Sequence, residues 1–262
     1  SMVMHEDETR ATAYHESGHA VVASLLPNTD PVHKVTIVPR GRALGVTWQL
    51  PERDRISLYK DQMLNNIAVL FGGRIAEDIF LGRVSTGASN DFERATGIAR
   101  DMVTRYGMSD KLGVMVYAEN EGEVFLGRSV TNTKNISEDT QKQVDAEVRR
   151  ILDEQYAMAY QLIDENRDKM ETMTNALMQW ETIDADQVKE IMAGKEPSPP
   201  KDYSHNVRSE AEIAAAAAAV VEATDTAADE PKAEVDADKP SADLAADSIV
   251  GEKDKDQNSP KQ

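Results

Sequence analysis

Two histidines four residues apart, with a glutamate directly after the first, stand out as the residues of this chain best suited to chemistry: His15-Glu16-Ser17-Gly18-His19. On a helix that spacing sets both imidazoles on one face, a turn apart. Two neutral imidazoles so placed can reach a single tetrahedral Zn2+ at about 2.0–2.1 Å. Glu16, beside the first ligand, projects next to the metal. There it can take a proton from the attacking water and later deliver one to a leaving amine. Zinc draws the pKa of its water towards ~7, so the nucleophile is available at neutral pH. With five histidines in the chain, such a pattern is expected by chance roughly 0.01 times. Ala20, Val21 and Val22 follow directly and place the helix inside a core. Gly18 is expected to clear space beside the metal for a substrate backbone. The chemistry specified is metal-assisted hydrolysis of a peptide bond.

An open catalytic zinc site takes three protein ligands and leaves the fourth position to water. His5 lies in an acidic N-terminal stretch and His33 opens a strand after a turn, so neither has a supporting context. Two carboxylates compete for the third place. Asp91 follows the small polar turn Ser85-Thr86-Gly87-Ala88-Ser89-Asn90, which could pack tightly against the zinc helix. Glu77 lies on a helix interrupted by Gly72-Gly73. Spacing alone does not separate them.

The elements that must position these residues are mostly helical. The first helix spans 9–26 and stops at Pro27. Val35–Val38 and Leu44–Leu50, separated by Pro39-Arg40-Gly41-Arg42, read as a hairpin, with Val46, Trp48 and Leu50 alternating on its buried face. Leu64, Ile67, Phe71, Ile75 and Ile79 mark a helix over about 55–81. Its two central glycines, each costing roughly 1 kcal/mol against alanine, are tolerable if another backbone packs there. Further helices are expected over about 91–106, from an N-cap at Ser137 to about 166, and over about 169–180. A last one begins at Asp184 with Gln187 completing a capping box and ends at Gly194. The fold class is mainly α: a helical zinc-peptidase domain with a small β-hairpin or sheet.

Composition divides the chain in two. Residues 1–196 carry almost all large apolar side chains, while 197–262 hold 15 acidic and 7 basic residues of a chain whose net charge is −18. The first part is read as the peptidase domain. The second is read as an acidic, alanine-rich disordered tail, because it has almost nothing to bury. No basic stripe is present, which argues against nucleic acid as a partner. Absence of cysteine excludes disulfides and thiolate chemistry. No apolar run approaches the ~20 residues that cross a bilayer, so this chain is expected to be soluble. Ser1 at its start suggests that it is cut from something longer.

Several runs together resemble the peptidase domain of the FtsH family, the ATP-dependent, membrane-anchored zinc proteases. They are Ala13–Ala20, Pro31–Gly41, Phe71–Glu77, Ser85–Asp91 and Gly122–Arg128, and the likeness covers about residues 1–195 in the right order. Ser17 stands where that family usually has alanine, a small change expected to point away from the ligands. The resemblance implies that the third ligand is Asp91, that Glu77 is a supporting residue, and that one Zn2+ is held per chain. It implies protein and peptide substrates that add as a strand to the edge of the sheet around 35–50. In the family an anchor and an ATPase precede this region. ATP, membrane attachment and a homo-hexamer would therefore come to this chain only through those parts, with the full protein at the inner (cytoplasmic) membrane and this domain in the cytosol. No G-x-x-x-x-G-K-[ST] loop occurs here, since Gly194-Lys195 is followed by Glu196. The expected function is the proteolytic part of a protease that degrades misfolded, membrane and regulatory proteins. The alternative is a zinc-stapled helical module, with the helices of 137–193 serving oligomerisation and no catalysis.

Overall fold

A computed structural model of the chain describes residues 5–40, 43–52, 57–117 and 137–201. The run 122–128 and the tail from 202 onward lie outside the described residues. Helix α1 (Glu6–Leu25) opens with Glu6, Asp7 and Glu8 in its first turn, where the helix dipole favours acids. It leads into strands β1 (Val32–Thr36) and β2 (Val46–Gln49). Helix α2 (Lys60–Ala76) begins with Gln62 accepting from the Tyr59 N–H at 2.8 Å and widens into a π-helical turn, Glu77–Leu81, closed by left-handed Gly82. A 3-10 turn (Thr86–Ala88) leads directly into α3 (Ser89–Thr104). Helix α4 (Glu138–Glu165) starts at Ser137, whose hydroxyl accepts the Thr140 N–H at 3.2 Å. Helix α5 (Arg167–Trp180), strand β3 (Thr182–Asp184) and α6 (Ala185–Met192) complete the order. Asp184 and Gln187 form the expected capping box.

The protein is mainly helical with a small antiparallel sheet, as expected, but the sheet has three strands in the order β2-β1-β3. Strand β3 escapes a pattern search because it is three residues long and runs straight into a helix cap. Its Thr182 side chain meets Thr36 at 2.7 Å, and Ile183 is fully buried. The hairpin differs from expectation in which face is covered. Leu50 is exposed and Trp48 half-buried under Lys34 and Arg40, while the opposite face of β2, with Gly45 and Thr47, lies against α1. At the other end of the domain, Ser198 and Lys201 bond to Glu190 and Asp186 of α6, so order continues past 197.

Helix α1 is the central element. Ala13, Ala20, Val21 and Val22 are fully buried, and the same helix touches α2, α5 and the sheet. Ser17, also fully buried, accepts a hydrogen bond from Thr174 of α5 at 3.2 Å. Gly18, expected to clear space for a substrate, faces α2 instead. A Cβ on Gly18 would run into the Gly72 carbonyl, and one on Gly72 would come within 2.9 Å of the His19 nitrogen. Gly18 therefore serves the packing of two helix backbones, not space for a substrate. Gly73 has a different neighbour: its missing Cβ leaves room for the His15 ring.

This contact generates a prediction in which two effects have opposite signs. Alanine at position 72 gains about 1 kcal/mol in helix propensity. It also forces a methyl against backbone that cannot swing away, an overpacking cost of about 1–3 kcal/mol. Overpacking should prevail, so Gly72→Ala is expected to lower the thermal midpoint by several degrees. A midpoint at or above that of the parent protein would refute the close backbone contact.

Candidate metal centre

Three donor atoms converge where α1, α2 and α3 meet. His15 Nε2 and His19 Nε2 lie 3.0 Å apart, and Asp91 Oδ2 is 3.3 Å from each. Two ligands of a tetrahedral ion at about 2.0–2.1 Å are about 3.3–3.4 Å apart. The three edges thus have the dimensions of one face of such a site. Among the described residues, His15, His19 and Asp91 are the group whose ligand atoms gather within 4.8 Å of one another. Their side chains are 13, 11 and 15 % exposed, so the cluster is largely covered without being sealed from solvent.

Each imidazole is oriented through its other nitrogen. His19 Nδ1 lies 2.7 Å from the Val69 carbonyl of α2, so this nitrogen donates to the carbonyl and Nε2 is the one turned toward Asp91. His15 Nδ1 faces Glu77 Oε2 at 3.5 Å. Glu77 therefore stands on the far side of the ring from Asp91, in the position of a carboxylate that supports a ligand. Its other oxygen accepts a short hydrogen bond from the Ser85 hydroxyl. That same hydroxyl accepts the Gly87 N–H at 3.1 Å, tying Glu77 to the turn that delivers Asp91. Arg74 completes the tie, donating to the Ser85 carbonyl at 3.1 Å with its guanidinium 4.7 Å over the Phe92 ring.

Glu16 is buried, and its carboxylate is met by β2: Thr47 Oγ1 lies 2.8 Å from Glu16 Oε2 and 3.0 Å from the Glu16 carbonyl. Gly45, two residues earlier on the same face, has no Cβ where one would press within 2.9 Å of Glu16 Cγ. The structure thus brings His15, Glu16, His19 and Asp91 together. It keeps exposed His5 and His33 away from them. Sequence reasoning missed Thr47, Val69, Arg74 and Ser85. Their contacts are long-range, and the one visible signal was the serine opening the polar turn.

The electrostatics of the cluster call for a cation. Three carboxylates, Glu16, Glu77 and Asp91, surround two imidazoles. Burial disfavours a charged His15, but hydrogen bonds to Asp91 and Glu77 and the nearby Glu16 charge outweigh it and raise its pKa from 6.5 to about 10. Burial pushes Asp91 upward, yet its bonds to both histidines hold it well below the carboxylate range. Glu77 is likewise disfavoured by burial and lowered on balance by His15 and Ser85. In the metal-free chain a proton on His15 stands in for positive charge that a dication would supply. Donor chemistry, edge lengths and charge all fit Zn2+.

The sequence profile of peptidase family M41 matches residues 2–191. The chain is similar to proteins named ATP-dependent zinc metalloprotease FtsH in several bacteria. In Cupriavidus metallidurans the identity is 68% over 77% of this chain and 31% of the relative. In Photobacterium profundum it is 54% over 74% and 28%, and in Magnetococcus marinus 53% over 74% and 29%. The chain thus spans about a third of the length of the curated relatives it matches. Among the described residues no helix is long and apolar enough to cross a membrane. With the family's profile covering the helices and the sheet that carry the cluster, the chain belongs to peptidase family M41.

Proposed function

We propose that this chain is a zinc-dependent endopeptidase in which His15, His19 and Asp91 hold one Zn2+ and Glu16 is the general base and acid. The observation that carries this reading is the 3.0–3.3 Å triangle of donor atoms with the Glu16 carboxylate held next to it by Thr47. Bound there, zinc would supply a Lewis acid and a water of lowered pKa. Glu16 takes a proton from the attacking water and hands it to the leaving amine as the C–N bond breaks. Glu77 holds the His15 ring, and Val69 holds that of His19. The substrate lies extended along β2, an outer strand of the sheet, bound through backbone hydrogen bonds that tolerate many sequences.

The relatives are named as ATP-dependent zinc metalloproteases, and the proposal for the longer protein follows from the family resemblance of the sequence: a proteolytic part working with an ATPase, attached to the inner membrane with this domain in the cytosol, assembling as a hexamer and degrading misfolded, membrane and regulatory proteins. This chain has no nucleotide-binding loop of the G-x-x-x-x-G-K-[ST] type. Its own share is therefore the cleavage of unstructured chain, independent of ATP. From 202 onward, the acidic, alanine-rich segment is proposed to be a tail that follows the peptidase domain.

Elemental analysis and cleavage of an unstructured, quenched-fluorescent peptide test the site together. His15→Ala, His19→Ala and Asp91→Ala are expected to lose zinc, Glu77→Ala to retain more of it, and Glu16→Gln to keep zinc while losing at least about 100-fold in kcat. Full zinc in Asp91→Ala beside an empty Glu77→Ala would reverse the ligand assignment. Undiminished cleavage by Glu16→Gln would remove the base.

Zinc and a proton compete for His15 Nε2. With the metal-free pKa raised to about 10, apparent affinity should climb about tenfold per pH unit between about pH 6 and 9. The sign is opposite for the metal-free fold. A raised pKa gives it stability that is full below 6.5 and is lost as pH rises through about 10. Chelator competition at several pH values reads the first effect, and a pH-independent affinity would show that no proton is displaced.

A further inference from the structure

Strand β2 does two things at Thr47, and they involve different atoms of the residue. The first concerns its backbone. Ile37 donates to the Glu181 carbonyl at 2.9 Å, so the backbone groups of residues 37 and 35 face β3. Those of 36 and 34 then face β2, where they pair with Val46 and Trp48. Leu50 donates to the Pro31 carbonyl at 3.1 Å, which keeps the same parity at the far end of the strand. Alternation therefore turns the N–H and C=O of Thr47 away from β1, toward the outer edge of β2. No further strand covers that edge among the described residues.

The second concerns its side chain. Thr47 shares a face of the sheet with its cross-strand partner Val35, which is fully buried. That face lies on α1, and the Thr47 hydroxyl reaches both oxygen atoms named above on Glu16. A hydroxyl has one proton to give. The Glu16 carbonyl, inside α1, already accepts the N–H four residues on. The carboxylate oxygen is charged and the nearer of the two, so the proton goes to Oε2. Gly45 leaves the gap that lets the Glu16 side chain lie along the strand at this point.

We infer that Thr47 is a positioning residue that links substrate to base: its backbone receives the extended peptide while its hydroxyl aims the Glu16 carboxylate at that peptide's scissile bond. This rests on the proposed peptidase reading and adds to it a specific register. The residue of the substrate that pairs with Thr47 is fixed relative to the proton-transferring oxygen through one side chain. Peptide bound elsewhere on the strand would be held without being cut.

The test uses the zinc-loaded chain with a quenched-fluorescent, unstructured peptide. Thr47→Val keeps the β-branched shape and the strand backbone and removes only the hydroxyl; Thr47→Ala removes it with a different volume. Both are expected to lose about 10- to 100-fold in kcat with KM within about twofold of the parent and zinc content unchanged. Thr47→Ser, which restores the hydroxyl, should recover most of kcat. A second readout is independent of turnover: on the Glu16→Gln chain, bound peptide should slow amide hydrogen exchange across residues 44–50. The inference is overturned by a kcat within twofold of the parent in either hydroxyl-free variant, by serine no better than valine, by a loss carried in KM, or by unprotected amides over 44–50. An inactive parent at full zinc occupancy would instead defeat the peptidase reading itself, whereas an active parent, a dead Glu16→Gln and a normal Thr47→Val would defeat this step alone.

Discussion

The backbones of α1 and α2 touch where Gly18 meets Gly72, and the geometry of the cluster follows from that contact. Helices packed through ordinary side chains keep their axes about 8–10 Å apart. Glycine on both sides removes the layer of Cβ atoms that sets this spacing. Once α2 lies so close, its Val69 carbonyl can reach His19, its Glu77 can reach His15, and the gap at Gly73 takes the His15 ring. One helix thus orients both imidazoles through their outer nitrogens. Three glycines inside helices carry a propensity cost of about 1 kcal/mol each, which burial of the surrounding Ala20, Val21, Ile67 and Ile75 offsets.

A third helix then closes the triangle: Ala95, Ala99, Met102 and Val103 bury its inner face in the core, and polar contacts fix its first turn. Asp91 sits in the first turn of α3, where a carboxylate is favoured by the helix dipole. The turn before it is fixed to α2 at two points, Ser85 to Glu77 and Arg74 to the Ser85 carbonyl, and the start of α3 at a third, Arg74 over Phe92. The same Glu77 that supports His15 therefore also helps to place Asp91. Negative charge accumulates as a result. The metal-free protein relieves it in part by keeping His15 protonated far above its ordinary range.

How much of this could be read from the sequence depended on distance along the chain. His15, Glu16 and His19 are within one helical turn of each other, so residue spacing alone specified their common face. The caps at Ser137 and Asp184 were equally local and equally legible. Asp91 was a different case. It is 72 residues beyond His19, and nothing in the spacing distinguished it from Glu77; the likeness to a family singled it out, and the two carboxylates turn out to face opposite nitrogens of one ring. Gly72-Gly73 was legible as a place for close approach but not in its partners, and Gly18 was read toward the substrate when it faces α2. The covered face of β2 was misjudged for a related reason. Valine, tryptophan and leucine advertise burial more strongly than glycine and threonine, yet the small residues are the ones that let a strand lie on a helix.

That last point bears on how the site divides its work. The metal donors come from helices, whose side chains radiate from fixed axes and hold a small triangle of atoms well. A substrate bound as a strand is positioned by a different ruler, the repeat of about 3.3 Å per residue along β2. A base rooted only in the helix would be aligned with the metal but indifferent to the register of the peptide; one rooted only in the strand would have the opposite fault. Glu16 has its backbone in α1, next to His15, and its carboxylate on Thr47 of β2. Its proton-accepting oxygen is therefore held by both rulers at once. On the proposed reading, this is why the base must be the residue adjacent to the first ligand, and why the residue that meets it on the strand is a small hydroxyl donor flanked by glycine two positions before.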